Sequence, residues 1–459
     1  MMNTKKILAL SIFCLLIFSF HSAFAGPGSA EKSQNKSHYI AQTKKIIKLL
    51  ANKQFGAVFS DFTPAEKKVL TVKGLNEGWK LMTSGSGRFL KVSHILITKE
   101  IFFKKFQYTL AAATCQFSNS SVGIHIAFNQ LGKISSLHFL PILSYTPPSA
   151  AYANPKLFHE KKIILGKREY RVHGTLTLPD GSGPFPAVVL LSGSGPMDQN
   201  ETMGPNQPFK DLAWGLASAG IAVLRYDKPT EENPADFSPL SANFTVKQEY
   251  MIDAEAALSF LKTVKQINPK QIFLLGHSEG GMVIPRIAKT DPQIAGLIFM
   301  AAPIHMLRLI VSQESYLISI TPFKTKMAKD LALVQVKTLK NEIKDLNSGD
   351  PGVIPSEILG APAGYWLDLR HHNPAEIAAA LKQPLLLLQG GRDHQVPVSE
   401  FNLWKKDLKP KKNVNFKFYP NLNHLFMKVA GRMALSDYYH AGHVSIKVIR
   451  KIAKWIKKH

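Results

Sequence analysis

From Lys161 onward the chain alternates short apolar runs with helical patterns, and this alternation narrows the fold more than any other feature. Runs at 187–191, 221–226, 271–275, 295–300, 384–389 and 414–419 have strand length, and helical stretches at 208–218, 246–264 and 280–289 lie between them. Strands that alternate with helices pair mainly in parallel, since a crossover must return the chain to the starting edge. The run 384–389 is almost wholly apolar, as a strand covered on both faces must be. Segments 161–165 and 170–178 read as a leading antiparallel pair. The expected class is therefore α/β, a mainly parallel sheet over 155–459. One region, 304–382, breaks the rhythm with mostly helical sequence. An insertion placed between late strands lies above the strand carboxyl ends, where open α/β sheets bind ligands, so it reads as a helical lid.

A chain of 459 residues, 45% of them hydrophobic, exceeds one compact core, which predicts a second unit. Residues 38–145 read as a small α+β module, with helices at 40–52 and 64–75 and strands at 89–97, 106–117, 122–128 and 133–140. Asn129-Gln130-Leu131-Gly132 has the residues of a short hairpin loop. Nothing in this module has the residue types of a catalytic site. Pro147-Pro148 and the small residues after them mark the linker.

The first 25 residues read as an export signal: Lys5 and Lys6, an apolar run, then Ala23-Phe24-Ala25 as a cleavage site. The run is about 14 residues, short of the roughly 20 that span a bilayer. The expected location is periplasmic or extracellular. Cys14 lies inside this signal, so Cys115 is left without an internal disulfide partner and reads as a buried structural thiol. A net charge of +25 suggests phosphate binding, but export argues against a nucleic-acid partner. The basic concentration Lys447, Arg450, Lys451, Lys454, Lys457 and Lys458 alternates at helical spacing with Val448, Ile449, Ile452, Trp455 and Ile456. That pattern predicts a terminal helix with a packed apolar face and a solvated basic one, with weak contact to an acidic envelope surface as the lesser reading.

Chemistry enters at Gly276-His277-Ser278-Glu279-Gly280-Gly281, placed between a buried strand and a helix. A serine in such a G-x-S-x-G turn is lifted to the top of the sheet, and the flanking positions must be nearly free of side chains. A hydroxyl needs a base to take its proton, and the base needs an acid to orient it. Asp393 follows the strand 384–389, and His424 follows the last strand. The blander readings are a turn aspartate paired with Arg392, a loop histidine at 424, and packing for His277; His394 is a rival base. The oxyanion of a tetrahedral intermediate needs two N–H donors, for which Glu279 and Ser194, in the loop after strand 187–191, are the candidates. Gly193 and Gly195 also suggest a dinucleotide fingerprint, but its third glycine is Asp198 here. No H-E-x-x-H spacing occurs, so neither metal nor cofactor is expected.

The order Ser278, Asp393, His424 is that of the α/β-hydrolases. The strings 191–198, Arg225-Tyr226-Asp227-Lys228, 276–281, 391–397 and Leu422-Asn423-His424-Leu425-Phe426 resemble the bacterial exported α/β-hydrolases similar to esterase D, over nearly the full length. Pro229-Thr230 departs from that pattern, in which a glycine often follows the basic residue. The resemblance implies a small N-terminal module of unknown function, carboxylesterase activity, and Ser278, Asp393 and His424 at the triad positions. The leading expectation is a serine hydrolase acting on a small-molecule ester through an acyl-enzyme. A peptidase or thioesterase shares the same machinery, and an aminopeptidase would need an amine-holding acidic cluster, for which Glu279, Asp198 and Glu201 are available. A non-catalytic envelope-binding protein is the alternative from another class. The residues say nothing of oligomeric state.

Overall fold

The computed structural model describes residues 30–459 except 68–69, 84–85, 103–105, 119–120, 130, 143–148, 167–170, 204, 233–243, 322–325, 351, 360, 430–437 and 439–440. The export-signal reading and Pro147-Pro148 fall outside the described residues. The chain divides into two compact units, Ala23–Thr146 and a larger one over Pro147–His459.

In the smaller unit, helices α1 (Ala30–Ala51), α2 (Phe55–Ser60), α3 (Pro64–Lys67) and α4 (Val72–Thr83) precede strands β1 (Phe89–Phe102), β2 (Phe106–Phe117), β3 (Ser121–Phe128) and β4 (Ile134–Ile142). The strands form an antiparallel sheet in chain order. Its core joins Ile46, Ile47 and Leu50 of α1 to Ile124, Ile126 and Phe128 of β3. The β3–β4 turn is tied by the Asn129 side chain, whose oxygen accepts from the N–H groups of Leu131 and Lys133. The helix expected at 64–75 is instead two. Thr71, read from sequence as a helix-interior residue, is a cap: its hydroxyl accepts the N–H of Gly74 at 3.0 Å and starts α4. Leu75 and Trp79, one turn apart, are buried and draw α4 onto the unit's core. Cys115 is fully buried, and that burial pushes its thiol up to about 12, so it stays an inert thiol.

The larger unit is the expected α/β-hydrolase sheet. Strands β5 (Phe158–Leu165), β6 (Val172–Pro179), β7 (Phe185–Leu191), β8 (Ala222–Tyr226), β9 (Ile267–His277), β10 (Gly296–Met300), β13 (Leu385–Gly390) and β14 (Val414–Tyr419) lie in the order β14-β13-β10-β9-β7-β8-β6-β5. Only β6 runs against its neighbours; the pairs from β8 to β14 are parallel. β8, β10 and β13 are buried along their whole length, as the apolar runs require of strands with both faces covered. The covering helices include α5 (Pro208–Ala217), α7 (Ile252–Thr263), α8 (Glu279–Thr290), α13 (Val398–Asp407) and α14 (Ile446–Ile456), while α6 (Pro229–Glu232) is a single turn. On α14, Val448, Ile449, Ile452, Trp455 and Ile456 are buried while Lys447, Arg450 and Lys454 face solvent.

One departure from the sequence reading matters for the site. The stretch expected as one helix at 246–264 opens with a π turn, Lys247–Met251, before α7 begins. In this turn the consecutive residues Glu249, Tyr250 and Met251 are all buried. The 304–382 region holds α9 (Met306–Ile320), α10 (Lys326–Ser348), a small hairpin of β11 (Glu357–Ile358) and β12 (Ala361–Pro362), α11 (Ala363–Arg370) and α12 (Pro374–Ala380). It is held from α11: Arg286 on α8 donates to both Asp368 carboxylate oxygens at 2.9 Å, and the indole of Trp366 donates to the Ile358 carbonyl at 2.7 Å.

Candidate active site

The parallel strands bring the sequence-selected residues together because each lies at or just past a strand's carboxyl end. Ser278 sits between β9 and α8 with φ 52° and ψ −123°, a strained conformation for any residue with a side chain. Its N–H donates to the Met300 carbonyl at the end of β10, 2.8 Å away, which pins the turn. The flanking glycines are obligatory. A Cβ on Gly276 would lie 2.4 Å from the Gly280 carbonyl, and one on Gly280 2.4 Å from that of Leu191. The backbones of elbow, helix and neighbouring strand therefore touch directly.

Asp393, in the turn after β13, is buried and held in place. Its Oδ1 accepts the N–H groups of Gln395 and Val396 at 2.9 and 2.8 Å; its Oδ2 accepts from the Gln389 amide at 3.3 Å and meets His424 Nδ1 at 2.7 Å. The pair is excluded from water, with side-chain exposures of 0% for Asp393 and 2% for His424. Such a carboxylate fixes the ring's tautomer, with the proton on Nδ1 and a lone pair on Nε2. The rival His394 makes no hydrogen bond among the described residues, and burial pushes its imidazole down to about 4, so it is a neutral ring packed 5.3 Å from that of Tyr438.

His277 does more than pack. Its Nδ1 meets Glu201 Oε1 at 2.8 Å and its Nε2 meets the His424 carbonyl at 3.0 Å; all three residues are buried. Both partners are acceptors, so only the doubly protonated ring satisfies both. Burial alone would pull the imidazole down. The Glu201 charge and hydrogen bond, the His424 carbonyl and the Asp393 charge outweigh it and raise the ring above its ordinary 6.5. Glu201 Oε1 also accepts the Gly193 N–H at 2.7 Å, so this pair ties the loop after β7, the elbow and the histidine loop together. A raised folded-state value means the contribution to stability is complete below pH 6.5 and fades as pH rises through the raised value. The thermal midpoint of the wild type should therefore fall more steeply between pH 6.5 and 9 than that of Glu201→Gln, whose ring lacks the charged partner. Parallel slopes would mean that the ring is neutral.

The two oxyanion candidates are placed differently. Glu279 is the first residue of α8, and its N–H has no acceptor among the described residues; the Ser194 N–H, in an exposed position next to Gly193, has none either. A Cβ on Gly193 would lie 3.2 Å from Ser278 Cβ and 3.7 Å from its Oγ, so the loop presses against the nucleophile.

The three carboxylates considered as an amine trap go to separate partners. Glu201 is taken by His277 and Gly193, Glu279 accepts the Tyr365 hydroxyl at 2.5 Å, and Asp198 accepts from Thr202 at 2.7 Å. The sequence reading missed a buried network behind the β7 loop: Lys228, Glu249 and Tyr250. A lysine two residues past the strand 222–226 was the available signal, since a buried ammonium is rare unless it is paired. Burial pushes the carboxyls of Glu249 and Glu279 up, and Lys228 offsets only part of that.

Residues 206–428 match the family described as serine aminopeptidase, S33, and residues 43–137 match a protein family of unknown function. The chain is similar to esterase EstD of Thermotoga maritima, at 32% identity over 414 residues that span 90% of this chain and 94% of that protein. It is also similar to the mitochondrial acyl-coenzyme A thioesterase 2 of Mus musculus, at 26% identity over 46% of this chain and 45% of that one. Among solved structures, an esterase of Pyrococcus furiosus superposes with a TM-score of 0.42 at 16% identity, covering 68% of this chain and 96% of that one.

Proposed function

Because the chain belongs to the family of esterase EstD and is a serine hydrolase, we propose that it cleaves small carboxylic esters through an acyl-enzyme on Ser278. His424 is the base and Asp393 orients it. The observation that carries this reading is the His424–Asp393 pair: a buried 2.7 Å contact whose carboxylate is held by two backbone N–H groups, in the same strand-end cluster as a strained serine turn.

In the first half-reaction Ser278 Oγ forms a bond to the ester carbonyl carbon, its proton passes to His424 Nε2, and the carbonyl electron pair moves onto oxygen. The N–H groups of Glu279 and Ser194 receive that charge. Collapse expels the alkoxide, which takes the proton from His424 and leaves as the alcohol; water, deprotonated by the same ring, then releases the acid. Ester over amino-terminal peptide substrates is supported by the dispersal of Glu201, Glu279 and Asp198, each of which is engaged by its own protein partner. The signal-like segment at 1–25 extends the proposal to an exported, periplasmic or extracellular enzyme.

The test is a fluorophosphonate probe followed by peptide mass mapping, beside turnover of p-nitrophenyl acetate and butyrate, a butyryl thioester and an aminoacyl anilide. We expect the label on Ser278 and the highest kcat/KM on the oxygen esters. A label elsewhere, or preference for the anilide or thioester, would overturn the assignment of residue or of substrate respectively.

A further inference from the structure

Two buried donors converge on a single carbonyl beside the nucleophile. Lys228 Nζ donates to the Gly193 oxygen at 3.0 Å and the Tyr250 hydroxyl donates to the same oxygen at 2.9 Å. Lys228 also donates to the Tyr250 oxygen at 2.9 Å and pairs with Glu249 at 2.6 Å, so all three ammonium hydrogens are used. Lys228, Glu249 and Tyr250 are 2%, 4% and 2% exposed. Burying an ion pair costs several kcal/mol per ion before its attraction is counted, and a fully apolar packing would often be as stable. The arrangement therefore asks for a role other than stability.

Peptide geometry supplies one. The Gly193–Ser194 bond is a planar amide in which the C=O and the following N–H point in opposite directions. Holding the Gly193 oxygen from behind aims the Ser194 N–H the other way, into the space where that donor has no protein acceptor. Glu201 fixes the preceding amide through the Gly193 N–H, so the loop is gripped on both sides of Gly193. An ammonium bonded to the carbonyl also polarises the amide and strengthens its N–H as a donor. The π turn at Lys247–Met251 brings Glu249 and Tyr250 inward side by side to meet Lys228.

We propose that Lys228, together with Tyr250, is a positioning residue that orients and polarises the Ser194 N–H as an oxyanion donor. This rests on the reading of Ser278 as nucleophile, and it goes beyond it by assigning the buried lysine after β8 to transition-state binding.

The experiment measures kcat and KM on p-nitrophenyl butyrate, affinity for butylboronic acid, which forms a tetrahedral adduct on an active serine, and fluorophosphonate labelling. The variants are Lys228→Met, the double variant Lys228→Met with Glu249→Gln, which also neutralises the carboxylate that Lys228 pairs with directly, and Tyr250→Phe. We expect both Lys228 variants to lose kcat on the order of 10- to 100-fold, with KM within about twofold of wild type and boronate affinity falling by the same factor as kcat. Tyr250→Phe should lose less, in the same parallel manner, because Lys228 still holds the carbonyl. Unchanged kcat in the folded double variant, or a loss of kcat with full boronate affinity, overturns the proposal. If neither Lys228 variant folds, an unchanged kcat and boronate affinity in Tyr250→Phe does so. Failure of the wild type to label at Ser278 instead overturns the reading beneath it, whatever the variants do.

Discussion

Replacing Ser278 with alanine is expected to lower kcat on a short-chain ester by about 10⁶-fold, leaving only what bound donors and substrate positioning contribute. KM should change little, since the hydroxyl acts in the transition state and not in holding the substrate. The fold should survive. Alanine keeps the Cβ that serine already places in the strained φ 52° turn, and the close backbone approaches of Gly276 and Gly280 are untouched. A thermal midpoint within a few degrees of wild type, with the fluorophosphonate label gone, is the full expected pattern. Residual turnover above about 1% in a pure, folded variant would remove Ser278 from the mechanism.

Asp393→Asn is expected to lower kcat by about 10⁴-fold while leaving the fold nearly intact, and the direction follows from hydrogen-bond bookkeeping. The N–H groups of Gln395 and Val396 both point at Oδ1, so an asparagine must place its carbonyl there. Its NH₂ group then occupies the Oδ2 position, facing His424 Nδ1 and the Gln389 amide. A donor opposite Nδ1 forces that nitrogen to accept and moves the ring proton to Nε2, the atom that must take the serine proton. The base is present in the wrong tautomer. The loss should ease at high pH if hydroxide can act in its place, and the pH–rate profile with kcat measured from pH 6 to 10 checks this. A loss under tenfold would mean that His424 is oriented by another group.

These two effects depend on residues that sequence order alone had paired. Ser278 was legible because its turn needs glycine on both sides, and a rule about steric room is written directly in residue identities. Asp393 was legible because it follows a buried strand, whose burial leaves an apolar run in the sequence, and His424 because it follows a strand of alternating apolar and polar residues. The sheet was legible for the same reason. The helix α4 was not, because its start depends on the Thr71 hydroxyl turning back to Gly74 and on Leu75 and Trp79 finding a core; neither can be seen in a segment that holds Gly74 and Gly78. Nor was the π turn, since a local widening of a helix has no periodic signal of its own.

His277 marks the limit most clearly. Its position before the nucleophile suggests packing, yet its ring is paired with Glu201, 76 residues earlier, and bonded to the carbonyl of His424, 147 residues later. Lys228 is alike: its string was visible, but its partners come from two distant segments, Gly193 from one and the adjacent Glu249 and Tyr250 from the other. By itself the sequence determined the fold class, the elbow and the order of the three reactive groups, because local sterics and strand burial are written in short runs. Only the tertiary structure decided which buried charges meet and which amide they aim, because a desolvated charge takes its role from neighbours that chain order does not bring near.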